Sequence, residues 1–189
     1  MRIIAGKLKG STIYTTKKNG TRPLKDLVKE SIFNLLKHSN KILFDFENSN
    51  ILDLYAGTGS FGLECLSRKA ESVYFVEKEE EALKILKKNI QKLKLDNKSK
   101  IFSSDVLKFI QGKEFLKIKF DLIFCDPPFK NKNIKELLNI IFDNNILKKN
   151  GILILHRHKI TKERFSDNFE IIDERKYGLS KIYFGKFLF

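Results

Sequence analysis

Two short stretches of the sequence combine residue types that could bind a nucleoside and act on an amino group. In residues 51–62 an apolar run containing an acidic residue ends in a glycine-rich turn, and a helical pattern follows. The tetrapeptide Asp126-Pro-Pro-Phe129 follows a later apolar run. Consecutive prolines stiffen the backbone and fix the directions of its carbonyls. A carboxylate, a rigid carbonyl and an aromatic ring so close together form a cradle for a planar amino group.

The first stretch has the pattern of a buried parallel strand that passes directly into a helix. Gly57 and Gly59 allow positive φ in the turn and a close approach of ligand to backbone, and Gly62 allows the helix to pack closely on the sheet. Amides at the helix N-terminus would face the ligand. The turn predicts a nucleotide or nucleoside site, with the candidate binding residues Asp53, Tyr55, Ala56, Gly57, Thr58 and Gly59.

A second strand pattern, residues 72–77, ends in Glu77 and is followed by Lys78. A carboxylate at this position is suited to accept hydrogen bonds from two ribose hydroxyls. Both a nicotinamide dinucleotide and S-adenosylmethionine contain such a ribose. The cradle at Asp126 favours S-adenosylmethionine, because it would hold a planar amino group at the carboxyl edge of the predicted sheet, where open α/β folds bind ligands. Asp126 is therefore a candidate for both the cofactor site and the catalytic site.

These motifs resemble those of known enzymes. Asp126-Pro-Pro-Phe129 is similar to the [Asp/Asn/Ser]-Pro-Pro-[Tyr/Phe] motif of class I methyltransferases that act on exocyclic amino groups, and residues 53–59 look like their cofactor motif. Residues 1–10 and 21–34 resemble the amino-terminal signature of the RsmD family, the 16S rRNA guanine-N(2) methyltransferases. The resemblance implies S-adenosylmethionine as cofactor and 16S rRNA, in the small ribosomal subunit or its assembly intermediate, as partner.

The resemblance also points to residues after the third strand. Similar enzymes place a side chain there against the adenine amino group, and here the candidates are Ser104, Asp105 and Val106. Asp105 could also cap the helix that begins at Val106, and the two roles are compatible.

Two arginines are candidate contacts for the substrate. In RsmD-like proteins the Thr-Arg-Pro segment lies near the mouth of the site, so Arg22 could contact a substrate phosphate or the cofactor carboxylate; alternatively it pairs with an acidic residue of the following helix. His156-Arg157-His158 departs from the acidic residue that RsmD-like sequences often carry near this strand end. A basic edge containing Arg157 could instead touch phosphate.

The chemistry implied is direct methyl transfer. Because the sulfonium methyl is already an electrophile, the enzyme has mainly to hold the nitrogen in line with it, about 3 to 3.5 Å away. Asp126 and the Pro127 carbonyl would accept the two amino hydrogens, Pro128 would stiffen the turn, and Phe129 would stack on a base extruded from its helix. Three alternatives stay open: an adenine-N(6) methyltransferase, a non-catalytic RNA-binding assembly factor on the same scaffold, and an NAD-dependent dehydrogenase.

The composition favours one basic domain. The chain has 189 residues, of which 37 are basic and 23 acidic, giving a formal charge of +14, and no compositional break marks a second domain. So large an excess favours a polyanionic partner, although a biased genome would also produce it. Lys7 and Lys9 are candidate RNA contacts in the basic N-terminal region.

Other features bear on location, thiols and metals. No apolar run approaches the roughly 18 to 20 residues that span a bilayer, and the N-terminus lacks a secretory pattern, so a cytoplasmic protein is expected, as a monomer. Cys65 and Cys125 show no metal-binding spacing and are predicted to be core thiols. The three histidines do not complete a zinc site, so no metal is expected.

Strand and helix patterns alternate from residue 50 onward, which predicts an α/β fold with a parallel sheet and right-handed crossovers. The resemblance specifies a Rossmann-like class I methyltransferase fold, with seven strands in the order 3-2-1-4-5-7-6 and an antiparallel last strand. The single domain 1–189 would comprise an N-terminal hairpin and loop (1–20), a helix (21–39) and the catalytic core (50–189). The predicted elements of the core are 51–55, 61–69, 72–77, 79–94, 100–104, 105–112, 119–125, 133–147 and 151–156, followed by a hairpin of 168–177 and 181–189.

The N-terminal helix is predicted to begin near Pro23 and to be amphipathic. Asp26, Lys29 and Glu30 are expected on the face opposite the apolar residues, which are Leu27, Val28, Ile32, Leu35 and Leu36.

Overall fold

A computed structural model describes residues 1–16, 26–42, 44–112, 118–131 and 133–189. Its strands form one seven-stranded sheet in the order β3-β2-β1-β4-β5-β7-β6, which confirms the predicted order. The strands are Asn50–Leu54 (β1), Ser72–Glu77 (β2), Ser99–Ser103 (β3), Phe120–Cys125 (β4), Leu147–His158 (β5), Phe169–Tyr177 (β6) and Ser180–Phe187 (β7). The helices are Asp26–His38 (α1), Ser60–Ser67 (α2), Glu80–Leu93 (α3), Val106–Gln111 (α4) and Ile134–Asp143 (α5), with a short 3-10 helix at Asp96–Lys98.

Strands β1 to β5 pair in parallel, and β7 pairs antiparallel with both β5 and β6, as predicted. Two boundary predictions were wrong: the helix expected at 133–147 ends at Asp143, and the strand expected at 151–156 begins at Leu147 and ends at His158. Asn145 has a φ of 51°, a left-handed conformation that ends a helix and that asparagine tolerates.

The central strands are buried on both faces because helices cover the sheet from both sides. One core contains residues of α1, α2 and α3, where the Phe61 and Phe124 rings stack with centroids 3.9 Å apart. The second core contains residues of α4 and α5, including Phe109 and Leu138. The carboxyl ends of β1, β2 and β4 meet at one edge of this three-layered arrangement, which is where a ligand of such a fold would bind.

Lys29 does not lie on an exposed helix face as expected, since its side chain is fully buried. Its Nζ donates to the Arg2 carbonyl at 2.9 Å and to Ser60 Oγ at 3.3 Å, and it lies 3.8 Å from Glu64 Oε2. Burial lowers the pKa of this ammonium, and the Glu64 carboxylate opposes that shift. Asp26 and Glu30 of the same face are exposed as expected, whereas Leu27, expected on the apolar face, is 70% exposed.

The N-terminal segment, residues 1–13, forms a short hairpin that lies along α2; the Ile3 amide donates to the Ser11 carbonyl and the Ile13 amide to the Met1 carbonyl, both at 2.9 Å. It contains one isolated antiparallel bridge, and Glu64 accepts hydrogen bonds from the amides of Ile4 at 2.7 Å and Ala5 at 2.9 Å. Gly6 has a φ of 82°, and a Cβ there would lie 1.9 Å from the Ser67 carbonyl oxygen. Only glycine allows so close an approach to α2.

In the part of the chain that the structure describes, no helix is long and apolar enough to cross a membrane.

Candidate active site

The glycine-rich turn after β1 has the conformation that its sequence predicts. The φ angles are 57° at Gly57 and 85° at Gly59, and Tyr55 is also left-handed at 60°. The Ala56 amide donates to the Val76 carbonyl at 3.0 Å, which ties the turn to β2. A Cβ on Gly57 would meet no atom within 4 Å, so the turn has open space beside its backbone.

Asn89 of α3 holds the turn from the other side, and the sequence analysis missed it. Its fully buried side chain donates from Nδ2 to the Thr58 carbonyl at 3.0 Å and to the Tyr14 carbonyl at 3.0 Å. Its Oδ1 accepts from the Tyr14 amide at 2.7 Å. The sequence does contain a signal for Asn89, because its amide side chain lies with Leu86 and Ile90 on the apolar face of α3. A buried polar group there must have hydrogen-bond partners, since leaving it unpaired would be costly.

Asp53 lies inside β1 and is 1% exposed. Its Oδ2 accepts a hydrogen bond from the Gly62 amide at 3.0 Å. Burial raises the pKa of this carboxyl to about 8; the carboxylates of Asp126 and Glu77 add to the shift, and the Gly62 bond opposes it. A Cβ on Gly62 would lie 2.3 Å from the Phe75 ring, which confirms the close packing predicted for this glycine.

Glu77 ends β2 and uses its carboxylate to hold three backbone amides. Oε2 accepts from Gly57 at 2.7 Å, and Oε1 accepts from Lys78 at 2.8 Å and Glu79 at 2.9 Å. The Ser104 amide donates to the Glu77 carbonyl at 3.1 Å. Because a carboxylate has about four acceptor positions, two ribose hydroxyls could both bind Glu77 only if one amide were displaced.

Asp105 caps α4, which confirms that part of its predicted role. Its Oδ1 accepts from the Leu107 amide at 3.0 Å, and Oδ2 lies 3.6 Å from the exposed Lys78 Nζ. Val106, the first residue of α4, is buried. The cap places the Asp105 carboxylate beyond β3, beside the residues that follow β2.

The Asp126-Pro-Pro-Phe129 turn follows β4 at the same edge of the sheet as the glycine-rich turn. The Asp126 amide lies 3.4 Å from the Leu54 carbonyl, and β1 and β4 are neighbours, so the two turns begin side by side. Neither Oδ2 of Asp126 nor the Pro127 carbonyl has a hydrogen-bond partner among the described residues. The carbonyls of Pro128 and Phe129 are both taken up by a buried arginine.

That arginine is Arg157, and its position corrects the expectation of a phosphate contact. Its side chain is 2% exposed, and Nε lies 2.5 Å from Glu163 Oε1. The guanidinium donates to the carbonyls of Pro128 at 3.3 Å, Phe129 at 3.4 Å and Asn131 at 2.7 Å. Because its donors are used inside the protein, Arg157 braces the backbone of the turn instead of meeting an RNA backbone.

A second link joins the two turns. Asn131 Nδ2 donates to the Tyr55 hydroxyl at 3.2 Å. Burial raises the pKa of Tyr55 above its ordinary 10.0, so this hydroxyl stays protonated at neutral pH. Tyr55 thus connects the end of β1 to the turn after β4.

His156 contacts Asp126 directly, which the sequence analysis did not foresee. Its Nδ1 lies 2.8 Å from Asp126 Oδ1. Cys125 pairs with Leu155 in the parallel β4–β5 ladder, so Asp126 and His156 are the next residues on neighbouring strands. The predicted order already makes β4 and β5 parallel neighbours, and this pairing places the residues just after Cys125 and Leu155 side by side.

The remaining candidate RNA contacts are not gathered at this edge. Lys7 and Lys9 are exposed, but the Lys7 amide donates to the carbonyl of Ser67, the last residue of α2. The glycine-rich turn precedes the other end of this eight-residue helix, about 12 Å away. Arg22 lies outside the described residues.

Cys125 is buried, and burial raises the pKa of its thiol well above the ordinary 9.0, which disfavours a thiolate nucleophile. Among the described ranges, no group of three or more His, Cys, Asp or Glu side chains could hold a metal ion.

The edge of the sheet is acidic although the whole chain carries a formal charge of +14. Glu77 ends β2, Asp105 follows β3 and Asp126 follows β4 at this edge. Carboxylates favour a ligand that carries positive charge, and they disfavour the pyrophosphate of a dinucleotide. The open space at Gly57 and the acidic surroundings therefore fit a sulfonium nucleoside better than a nicotinamide dinucleotide.

Comparison with known proteins gives consistent matches over nearly the whole chain. The family model described as Conserved hypothetical protein 95 matches residues 1–186. Ribosomal RNA small subunit methyltransferase D of Haemophilus influenzae is 32% identical over 180 residues, which cover 95% of this chain and 90% of that protein. The protein of the same name from Escherichia coli K12 is 31% identical over 153 residues, covering 81% and 72%. The solved structure titled "Putative methyltransferase yhhF from Escherichia coli" has a TM-score of 0.84 at 26% identity and covers 99% of this chain and 97% of its own.

Proposed function

Since this chain belongs to the Conserved hypothetical protein 95 family, the RsmD family of ribosomal RNA small subunit methyltransferases, we propose that it methylates the exocyclic N2 of a guanine in 16S rRNA. The methyl donor in this proposal is S-adenosylmethionine. The catalytic unit is the single domain 1–189 with its core at 50–189, acting in the cytoplasm on the small ribosomal subunit or its assembly intermediate.

One observation carries the proposal. At the turn after β4, Asp126 Oδ2 and the Pro127 carbonyl are acceptors without partners in the described parts of the chain, whereas the next two carbonyls are taken up by Arg157. Two free acceptors on a rigid turn suit the two hydrogens of a primary amino group. The glycine-rich turn lies on the adjacent strand, so an amino group held here would face a ligand bound there.

The residues proposed to hold the cofactor are those around the glycine-rich turn. When bound, S-adenosylmethionine supplies an electrophilic methyl group. Gly57 leaves room for the ligand, Glu77 would accept from the ribose, and Asp105 would accept from the adenine amino group. The remaining members of the set are Asp53, Tyr55, Ala56, Thr58, Gly59, Lys78, Ser104, Val106 and Asp126.

The role of the turn after β4 is to orient the nitrogen. The lone pair of an exocyclic amino group is delocalised into the base, which makes it a poor nucleophile. If Asp126 and the Pro127 carbonyl accept its hydrogens, the lone pair can turn toward the methyl group as the transition state forms. Phe129, which is partly exposed, would stack on the base and contribute on the order of 1 to 3 kcal/mol.

An RNA substrate is also supported by the charged surface around α3. A cleft of about 740 Å³ is lined by Tyr14, Ile85, Lys88, Gln91 and Lys92. The Tyr14 ring is 53% exposed, and Lys92 Nζ lies 4.6 Å from its centroid. Exposed aromatic rings beside lysines are typical of surfaces that bind single-stranded nucleic acid, by stacking and by contact with phosphate.

The proposal is tested by incubating the purified protein with tritiated S-adenosylmethionine and small ribosomal subunits from cells that lack this modification. Nuclease digestion and mass analysis then identify the labelled nucleoside. We expect label in N(2)-methylguanosine. Label in N(6)-methyladenosine would overturn the choice of base, and bound cofactor without any transfer to RNA would overturn the catalytic role.

A further inference from the structure

His156 of β5 reaches the proposed catalytic carboxylate from the neighbouring strand. Its side chain is 8% exposed, and Nδ1 lies 2.8 Å from Asp126 Oδ1. An ionised carboxylate can only accept hydrogen bonds, so the proton of this contact belongs to the imidazole. His156 therefore donates to Asp126 from Nδ1.

The other ring nitrogen has no comparable contact. Nε2 of His156 is buried and has no hydrogen-bond partner within the described part of the chain. The Phe129 ring meets the imidazole edge to face, with centroids 5.7 Å apart and planes at 85°. In this arrangement the one polar function of the imidazole is its contact with Asp126.

The backbone of the turn does not depend on His156. Arg157 donates to the carbonyls of Pro128, Phe129 and Asn131, and Glu163 holds the guanidinium in place. Two adjacent residues of β5 thus divide the support, with Arg157 bracing the main chain and His156 contacting the side chain.

We propose that His156 is a positioning residue for methyl transfer, which donates to Oδ1 of Asp126 and so turns Oδ2 toward the amino group of the substrate. This role rests on the proposed function. The terminal torsion of aspartate is broad and has no sharp minimum, so an isolated carboxylate samples many orientations. A donor on one oxygen fixes the plane of the carboxylate, and the second oxygen then points in a defined direction.

Two amide variants separate this role from general packing. In His156→Asn the side-chain amide nitrogen takes the place of Nδ1, so the donor to Asp126 is kept. In His156→Gln the amide nitrogen takes the place of Nε2, where the structure shows no partner. His38→Ala, at the exposed end of α1, is the control for removal of a histidine.

The experiment measures kcat and KM for RNA methylation, the cofactor dissociation constant and the thermal midpoint of each variant. We expect His156→Gln to lower kcat by about 10- to 100-fold, with KM and cofactor affinity within about 3-fold of wild type, because misplacing a reacting group by about 1 Å has effects of this size. His156→Asn should keep kcat within about 3-fold. In an Asp126→Ala background, His156→Gln should change the residual rate by less than about 3-fold, since the carboxylate it orients is gone.

A wild-type kcat in His156→Gln would overturn the role of His156 alone. Equal losses in His156→Asn and His156→Gln, or additive losses with Asp126→Ala, would also overturn it, because the effect would then not depend on the Nδ1 donor. Failure of the wild-type protein to form N(2)-methylguanosine would instead overturn the proposed function, and this role with it.

Discussion

The buried carboxyl of Asp53 should make the stability of the protein fall as pH rises. Burial raises its pKa from the ordinary 3.8 to about 8, so between these values the folded protein binds a proton that the unfolded chain releases. Raising the pH therefore favours unfolding. The contribution is fully present below pH 3.8 and is lost as the pH rises through about 8.

The size of the effect follows from the same two pKa values. Each unit of pKa difference corresponds to about 1.36 kcal/mol, so the free energy of unfolding falls by that amount per pH unit from about pH 4 to pH 8 and levels off above pH 8. Between pH 6 and pH 9 the free energy of unfolding should fall by about 2 to 3 kcal/mol. For a chain of this length that is a decrease in the thermal midpoint of about 5 to 10 °C.

The assay compares thermal unfolding of wild type and Asp53→Asn at pH 6 and at pH 9. Asparagine resembles the protonated aspartic acid and can still accept from the Gly62 amide, but it does not ionise. Titration of groups that do not interact with Asp53 is common to both proteins, so the pH dependence of the difference between their midpoints reports Asp53 and the carboxylates coupled to it. We expect Asp53→Asn to gain about 5 to 10 °C relative to wild type between pH 6 and pH 9. A difference that stays constant with pH would refute the assignment of a protonated Asp53.

Two further predictions concern the cofactor site and the N-terminal segment. Glu77→Gln should weaken binding of S-adenosylhomocysteine by about 10-fold or more in calorimetry, because it replaces a charged acceptor of three amides. Glu80→Gln is the control and should have no effect, because Glu80 is exposed. An unchanged dissociation constant in Glu77→Gln would remove Glu77 from the site. Gly10→Ala should lower the free energy of unfolding by about 1 kcal/mol, since φ is 85° and the space is open. Gly6→Ala should cost at least about 1 kcal/mol more, because its Cβ would also strike the Ser67 carbonyl; equal losses in urea unfolding would contradict that packing.

The order of the sheet and the glycine conformations could be predicted because each has a local or family-wide signal. Gly57 and Gly59 occupy left-handed positions that glycine adopts without strain, and the apolar runs of β1, β2 and β4 are those of strands covered on both faces. The predicted closing hairpin corresponds to β6 and β7, whose connection contains Gly178 at a φ of 57°. The glycine conformations and the closing hairpin depend on residues close together in the chain, whereas the order of the sheet came from the family resemblance.

The contacts of charged side chains could not be predicted in the same way. The pattern of α1 alone does not show that Lys29 donates to the Arg2 carbonyl, nor that Glu64 accepts from the amides of Ile4 and Ala5. A basic residue at a strand end suggests phosphate, and only the fold shows that Glu163 and three carbonyls hold the guanidinium of Arg157 inside the protein. In each case the partner is brought in by chain folding from a distant or irregular segment.

In the proposed mechanism, Asp126 promotes methyl transfer from a cofactor held by the neighbouring glycine-rich turn. The most direct test is single-turnover transfer from pre-bound tritiated S-adenosylmethionine to small-subunit RNA by wild type and Asp126→Ala, with cofactor binding measured on the same preparations. We expect transfer from the pre-bound cofactor to guanine N2 to be slower by at least about 100-fold, a loss much larger than any loss of cofactor affinity, since the interaction lost is one that orients the reacting nitrogen. Transfer by Asp126→Ala at the wild-type rate would contradict this mechanism.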